Sequence, residues 1–185
     1  MLEFFLYLQH KPIRFNMIND RPYVTIDLAP HLQDFLLHEF GAERAADGVV
    51  VSAVNDIGKL IVSLVTVVDR PYKQADKENL FNLYLPIQDF SHRIFSECFI
   101  CIPEWKQVQL RNYIEASYRL RIREFFLAGY EKGFRQDQIT NAFLDAYNIK
   151  NKKINYETII KYDYRNRKKI TKEVRQAIQL SLFNG

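Results

Sequence analysis

A chain of 185 residues with 48% hydrophobic and 26% charged side chains fits one medium domain or two small ones, and its apolar content excludes wholesale disorder. Only two cysteines occur, which excludes a secreted scaffold stapled by disulfides. The formal net charge of +4 is unevenly placed: residues 1–102 hold 9 Lys+Arg against 13 Asp+Glu, residues 103–185 hold 17 against 9, and residues 150–175 hold 10 against 3, a split that directs an anionic partner to the C-terminal part.

In chain order, Tyr23 to Leu28 alternates with Val24, Ile26 and Leu28 on one face, the pattern of a half-buried strand bracketed by Pro22 and Pro30. His31 to Phe40 reads as a short helix with Leu32, Phe35, Leu36 and Phe40 on its stripe and Gly41 at its end. Val49–Val54 and Lys59–Asp69 are β-branched runs around Asn55-Asp56-Ile57-Gly58, a turn-forming loop, and predict a hairpin that Pro71 stops. Asn79–Leu85 and Arg93–Ile102 predict two further strands. Together these segments predict a small antiparallel sheet with one or two helices over residues 1–102, offering a surface for oligomerisation or a partner.

Pro103 marks a change of period, and residues 103–185 predict a basic helical domain. Glu104 to Ala128 is a long helix, with Leu110, Ile114, Ser117 and Arg121 on one side and Tyr113, Leu120 and Leu127 continuing an apolar band. Gly129 and Gly133 bracket a break. Gln136 to Tyr147 is a second helix on Ile139, Phe143, Leu144 and Tyr147. After a basic turn, Asn148 to Lys153, Asn155 caps a third helix ending near Lys169, and Thr171 caps a fourth reaching about Leu182. The fold class is α+β: an antiparallel sheet with a helix, then a helical bundle.

The bundle carries the functional expectation. In its third helix Tyr156, Ile159, Ile160 and Tyr164 are assigned to the core, while Thr158, Lys161, Tyr162, Arg165, Lys168 and Lys169 fall mostly on the other side at spacings of three, four and seven. Arg and Lys on such a face can reach guanine edges or phosphates in a DNA major groove, and the turn lysines Lys150, Lys152 and Lys153 suit backbone phosphates. The order short helix, turn, basic helix over Gly133–Lys169 is that of a helix-turn-helix. Through Tyr130-Glu131-Lys132-Gly133, Gln138-Ile139, Phe143-Leu144, Tyr147-Asn148-Ile149 and Lys161-Tyr162-Asp163-Tyr164-Arg165-Asn166-Arg167, residues 129–170 resemble the homeodomain-like helix-turn-helix modules of transposases and transcription regulators. The same stretch is similar to the C-terminal part of uncharacterised phage and mobile-element proteins. The pattern departs at Arg135 or Gln136, where a Ser, Thr or Asp cap is usual, and in a turn longer than three or four residues. The resemblance implies a non-catalytic DNA-binding protein, with a homodimer suited to paired half-sites. The rival reading is an adaptor or phage structural protein whose basic bundle binds an acidic protein.

The remaining motifs carry less. Arg119-Leu120-Arg121-Ile122-Arg123 spreads charge around a helix, and its stems are expected to pack while the heads meet water or Glu115 and Glu124. Cys98-Phe99-Ile100-Cys101 falls on a strand, where positions three apart face opposite sides, so two small buried hydrophobes are expected. His31, Asp34 and His38 share a helical face, but His31 and His38 stand roughly 10 Å apart along the axis, too far for one ion, and His10 and His92 have no recognisable partners. No phosphate loop, nucleophile elbow or paired-histidine zinc motif occurs, so neither a cofactor nor a metal is expected. Leu60–Val68 is far shorter than the roughly 20 residues a membrane helix needs, and Met1–Leu6 lacks the basic start and cleavage site of a signal peptide, which together predict the cytoplasm.

Overall fold

The computed structural model describes residues 17–18, 21–41, 44–45, 48–70, 78–86, 99–149 and 153–183; Met1–Leu6, His10, Pro71, His92, Cys98, Lys150 and Lys152 lie outside them. The chain forms two units, residues 1–27 with 43–108, and residues 28–42 with 109–185. The fold class is α+β.

In the first unit the predicted N-terminal strand forms as β2 (Arg21–Asp27), preceded by the short β1 (Met17–Ile18). A five-stranded sheet has the order β1-β2-β6-β4-β3, with β3 at Arg44–Ala45, β4 at Gly48–Val50 and β6 at Leu80–Tyr84. Antiparallel pairing sets Val24 opposite Leu83 and Ile26 opposite Phe81, and all four are buried, so the alternation read from sequence fixes this register. β4 and β6, however, run parallel, with Val49 beside Leu83. The sheet is therefore mixed, not wholly antiparallel, because a crossover rather than a hairpin follows β4.

That crossover replaces the predicted hairpin. Asn55 does not turn a strand back. Its side chain accepts the Gly58 N–H at 2.7 Å and caps a helix, α2 (Asp56–Leu64). Gly58 is buried where an added Cβ would lie 1.8 Å from the Ser52 carbonyl oxygen, so this glycine permits close backbone approach. Ile57 and Ile61, four residues apart, bury the inner face. Of the second β-branched run, Lys59–Asp69, only β5 (Thr66–Val68) is extended, and it pairs antiparallel with β7 (Phe99–Cys101). Lys106 closes α2 by donating to the Leu64 carbonyl at 3.3 Å and to Thr66 Oγ1 at 2.9 Å, a cation at the negative helix end.

The second unit joins α1 (Pro30–Glu39) to most of α3 (Glu104–Glu131) and to α4 (Gln136–Ala146) and α5 (Lys153–Phe183). The sequence boundary at 102/103 left α1 with the sheet. Its packing explains its place in the helical unit: the Phe35 ring lies 5.5 Å from Tyr118 and 5.7 Å from Tyr147. α3 buries Leu110, Ile114, Tyr118, Ile122 and Phe126 at a strict spacing of four, whereas the expected band residues Tyr113 and Leu120 are exposed. The arginines flanking Ile122 disguise that stripe in the sequence.

Two helix ends share one device. Gly133 (φ 79°) follows α3, with Gly133 N–H on Tyr130 O and Phe134 N–H on Gly129 O. Asn148 (φ 49°) follows α4, with Asn148 N–H on Asp145 O and Ile149 N–H on Leu144 O. Both are paired closures that need a left-handed residue. The expected third and fourth C-terminal helices are one helix of 31 residues. Thr171 does not cap; its hydroxyl donates to the Arg167 carbonyl at 2.8 Å, a bond made inside helices. Asn155 likewise lies within α5, which starts at Lys153.

Candidate nucleic-acid interface

α5 is organised by what it buries. Ile159, Asp163, Ile170 and Val174 form its inner face. A fully buried carboxylate in such a row requires partners, and Asp163 has them on three elements. It accepts the Tyr130 hydroxyl at 2.9 Å to each oxygen, the Gln136 amide at 2.8 Å, and Arg167 Nε and Nη2 at 2.9 and 2.5 Å. The end of α3, the start of α4 and the middle of α5 thus meet on one anion. Tyr130 is pushed up to about 12 by burial first and then by its bond to Asp163, with Arg167 opposing. The Asp163 bond raises the Arg167 pKa. An ion pair between Arg123 and Glu173 adds a second tie between α3 and α5.

With that face fixed, the opposite one is cationic. Lys161, Arg165, Lys168, Lys172 and Arg175 follow one another at steps of four, three, four and three, so they fall on a single stripe, and all five are exposed. They span about 21 Å at 1.5 Å per residue. Lys161 lies 3.6 Å from Glu157. Arg165, Lys168, Lys172 and Arg175, with Lys169 at the side, form no ion pair among the described residues.

The sequence-predicted positions sort as follows. Lys161, Arg165 and Lys168 lie on the ridge, and Lys169 and the exposed Thr158 lie beside it. Lys153 stands at the start of α5, 91% exposed and 3.9 Å from Glu157. Tyr162 does not share the outward face. It is half-buried, burial raises its pKa, and Arg123 and Arg119 oppose that rise, which sets it toward α3. Tyr164, assigned to the core, is 79% exposed, while Tyr156 and Ile160 are half-buried. Lys172 and Arg175 were not among the predicted contacts because Thr171 was read as the start of another helix. Their 3–4 spacing from Lys168 was the available signal.

A concavity of about 450 Å³ opens beside the ridge, lined by Gln136, Ile160, Lys161, Tyr164, Arg165 and Arg167. A second, of about 540 Å³, lies between α3 and α4 and is walled mainly by Phe125, Phe134, Ile139 and Tyr147.

Other candidates find structural uses. Arg119 pairs with Glu115 at 2.9 Å and Arg121 with Glu124 at 3.0 Å, as expected of that Arg-rich run. His31 packs on Tyr118 at 5.3 Å, and burial lowers its pKa although Glu115, 3.8 Å away, opposes this. The His38 ring packs tilted against Tyr147, with centroids 4.2 Å apart. Cys101 is buried on β7, and burial raises its thiol pKa. No group of three His, Cys, Asp or Glu side chains that could hold a metal ion occurs among the described residues. No helix among them is long and apolar enough to cross a membrane.

Comparison with family models, with curated proteins and with solved structures finds no match.

Proposed function

We propose that the chain is a non-catalytic nucleic-acid-binding protein and that the outer face of α5 lies against duplex DNA. The observation that carries this reading is the row of cations Arg165, Lys168, Lys172 and Arg175, with Lys169 beside it, none of which forms an ion pair among the described residues. A solvated charged helix usually intersperses acids that neutralise its bases. Here the acids of α5 are turned to other work: Asp163 is buried, Glu173 pairs with Arg123, and Glu157 serves only the N-terminal end. The remaining cations present a rigid strip to phosphates or groove edges, with Lys161 and Lys153 extending it. The row continues past Lys169, so the reading does not depend on the resemblance to a helix-turn-helix.

Displacing counterions by such a row makes affinity fall with salt, with a log–log slope of about 0.9 per neutralised phosphate. Four to five contacts predict a slope of about −4 for a blunt 20-base-pair duplex, measured by fluorescence anisotropy. Lys168→Ala/Lys172→Ala should weaken binding to unrelated duplexes alike and flatten the slope by nearly two units. A double variant that keeps the parent's affinity and slope overturns the proposal.

A further inference from the structure

A row of cations is sufficient to hold a duplex, but the concavity beside it contains something a duplex does not use. Tyr164 is 79% exposed, so its ring adds almost nothing to the core of the unit. It stands with half-buried Ile160 at a recess of about 450 Å³, bordered by Lys161, Arg165 and Arg167. The recess is held in shape from beneath. Gln136 and Arg167 both bond to the buried Asp163, at 2.8 Å and at 2.5 to 2.9 Å, so the floor and one cationic edge are set before any ligand arrives. An exposed aromatic face in a preformed recess with Lys161 and Arg165 at its border matches the chemistry of an unpaired nucleobase attached to its phosphate: the ring stacks on the base and these two cations meet the backbone. Bases inside a duplex are already stacked on their neighbours and cannot reach such a ring without being extruded.

We propose that Tyr164 is a stacking platform for an unpaired base, and that the preferred substrate is duplex carrying a short single-stranded extension. The duplex lies along the ridge and the first unpaired base enters the recess beside Lys161 and Arg165. This inference rests on the ridge reading and names the nucleic-acid structure that the same surface selects.

The test compares a blunt 20-base-pair duplex with the same duplex bearing three unpaired thymidines at either the 3′ or the 5′ end, titrated by anisotropy at one salt concentration. The parent chain should bind one tailed form about tenfold more tightly than the blunt form, a gap within the range for one base on an aromatic side chain. Tyr164→Ala should abolish that gap and leave blunt-duplex affinity within about twofold, whereas Tyr164→Phe should keep it. The ring is exposed, so circular dichroism should show both variants folded as the parent. Equal binding of blunt and tailed duplexes by the parent, or an undiminished gap in Tyr164→Ala, overturns the platform and leaves the ridge standing. Binding of neither form overturns the ridge and the platform with it.

Discussion

Asp163 concentrates the polar chemistry of the helical unit, and its effects can be measured through Tyr130. A carboxylate with no exposure would be costly alone, but Gln136 and Arg167 donate to its Oδ2 and the Tyr130 hydroxyl lies within reach of both oxygens, and such networks are stable only when every member is satisfied. The Tyr130 phenol contributes as a donor, so it must keep its proton. Its pKa is about 12 in the folded chain, above the usual value of about 10 for tyrosine. The stabilisation is therefore complete below pH 10 and is lost as pH rises through 12. Urea unfolding of the parent and of Tyr130→Phe at pH 9, 10, 11 and 12 should show the parent's advantage shrinking across that interval. Lysine ionisation acts on both proteins and cancels in the difference. If the two stability curves run parallel from pH 9 to 12, the phenol is not part of the network in solution.

Among the elements, the crossing of α3 and α4 depends on one missing methyl group. Gly129 is buried within α3, and a Cβ there would come 2.5 Å from Ile139 Cγ1 and 2.6 Å from its Cδ1. Helix propensity alone would make Gly129→Ala stabilising by up to about 1 kcal/mol. Overpacking against a buried, branched side chain costs about 1–3 kcal/mol, and this should win. Gly129→Ala is expected to destabilise by about 1–2 kcal/mol in urea titration, and adding Ile139→Val should restore part of it. A stabilised Gly129→Ala would show that the helices separate without cost. The same position illustrates what a sequence discloses. β2, α1, α4 and the buried set Ile139, Phe143, Leu144 and Tyr147 were legible because their apolar spacing is regular and their flanks are turn residues. Gly58 and Gly129 were misread as breaks, since a glycine used for close approach looks identical to one used for a turn until its neighbour is known. The stripe of α3 was hidden because Arg119, Arg121 and Arg123 surround Ile122. On α5 the alternation of Tyr, Ile and Lys identified a charged face but misassigned Tyr162 and Tyr164, as Asp163, the acid between them, is the residue that turns inward.

At the scale of the molecule, the helical unit is discontinuous in sequence, and this determines how it can be dissected. It takes residues 28–42 from the N-terminal part of the chain and carries 16 Lys+Arg against 10 Asp+Glu, while the other unit carries 10 against 12. Including α1 adds Asp34 and Glu39 to the helical unit, and neither pairs with the exposed cations of α5 among the described residues. What α1 supplies is apolar: Leu32, Phe35 and Leu36 are buried, and Phe35 meets both Tyr118 and Tyr147. Truncating one buried Phe to Ala typically costs about 3–5 kcal/mol, against a total stability of about 5–15 kcal/mol for a domain. A fragment cut at the apparent sequence boundary, residues 103–185, loses Phe35 together with the buried Leu32 and Leu36. It is expected to give no cooperative melt by circular dichroism, whereas the full chain gives one, and joining residues 28–42 to residue 103 through a flexible linker should recover it. A fragment of 103–185 that melts as sharply and at as high a temperature as the full chain would mean that the aromatic cluster closes without Phe35 and that the basic helices are autonomous after all.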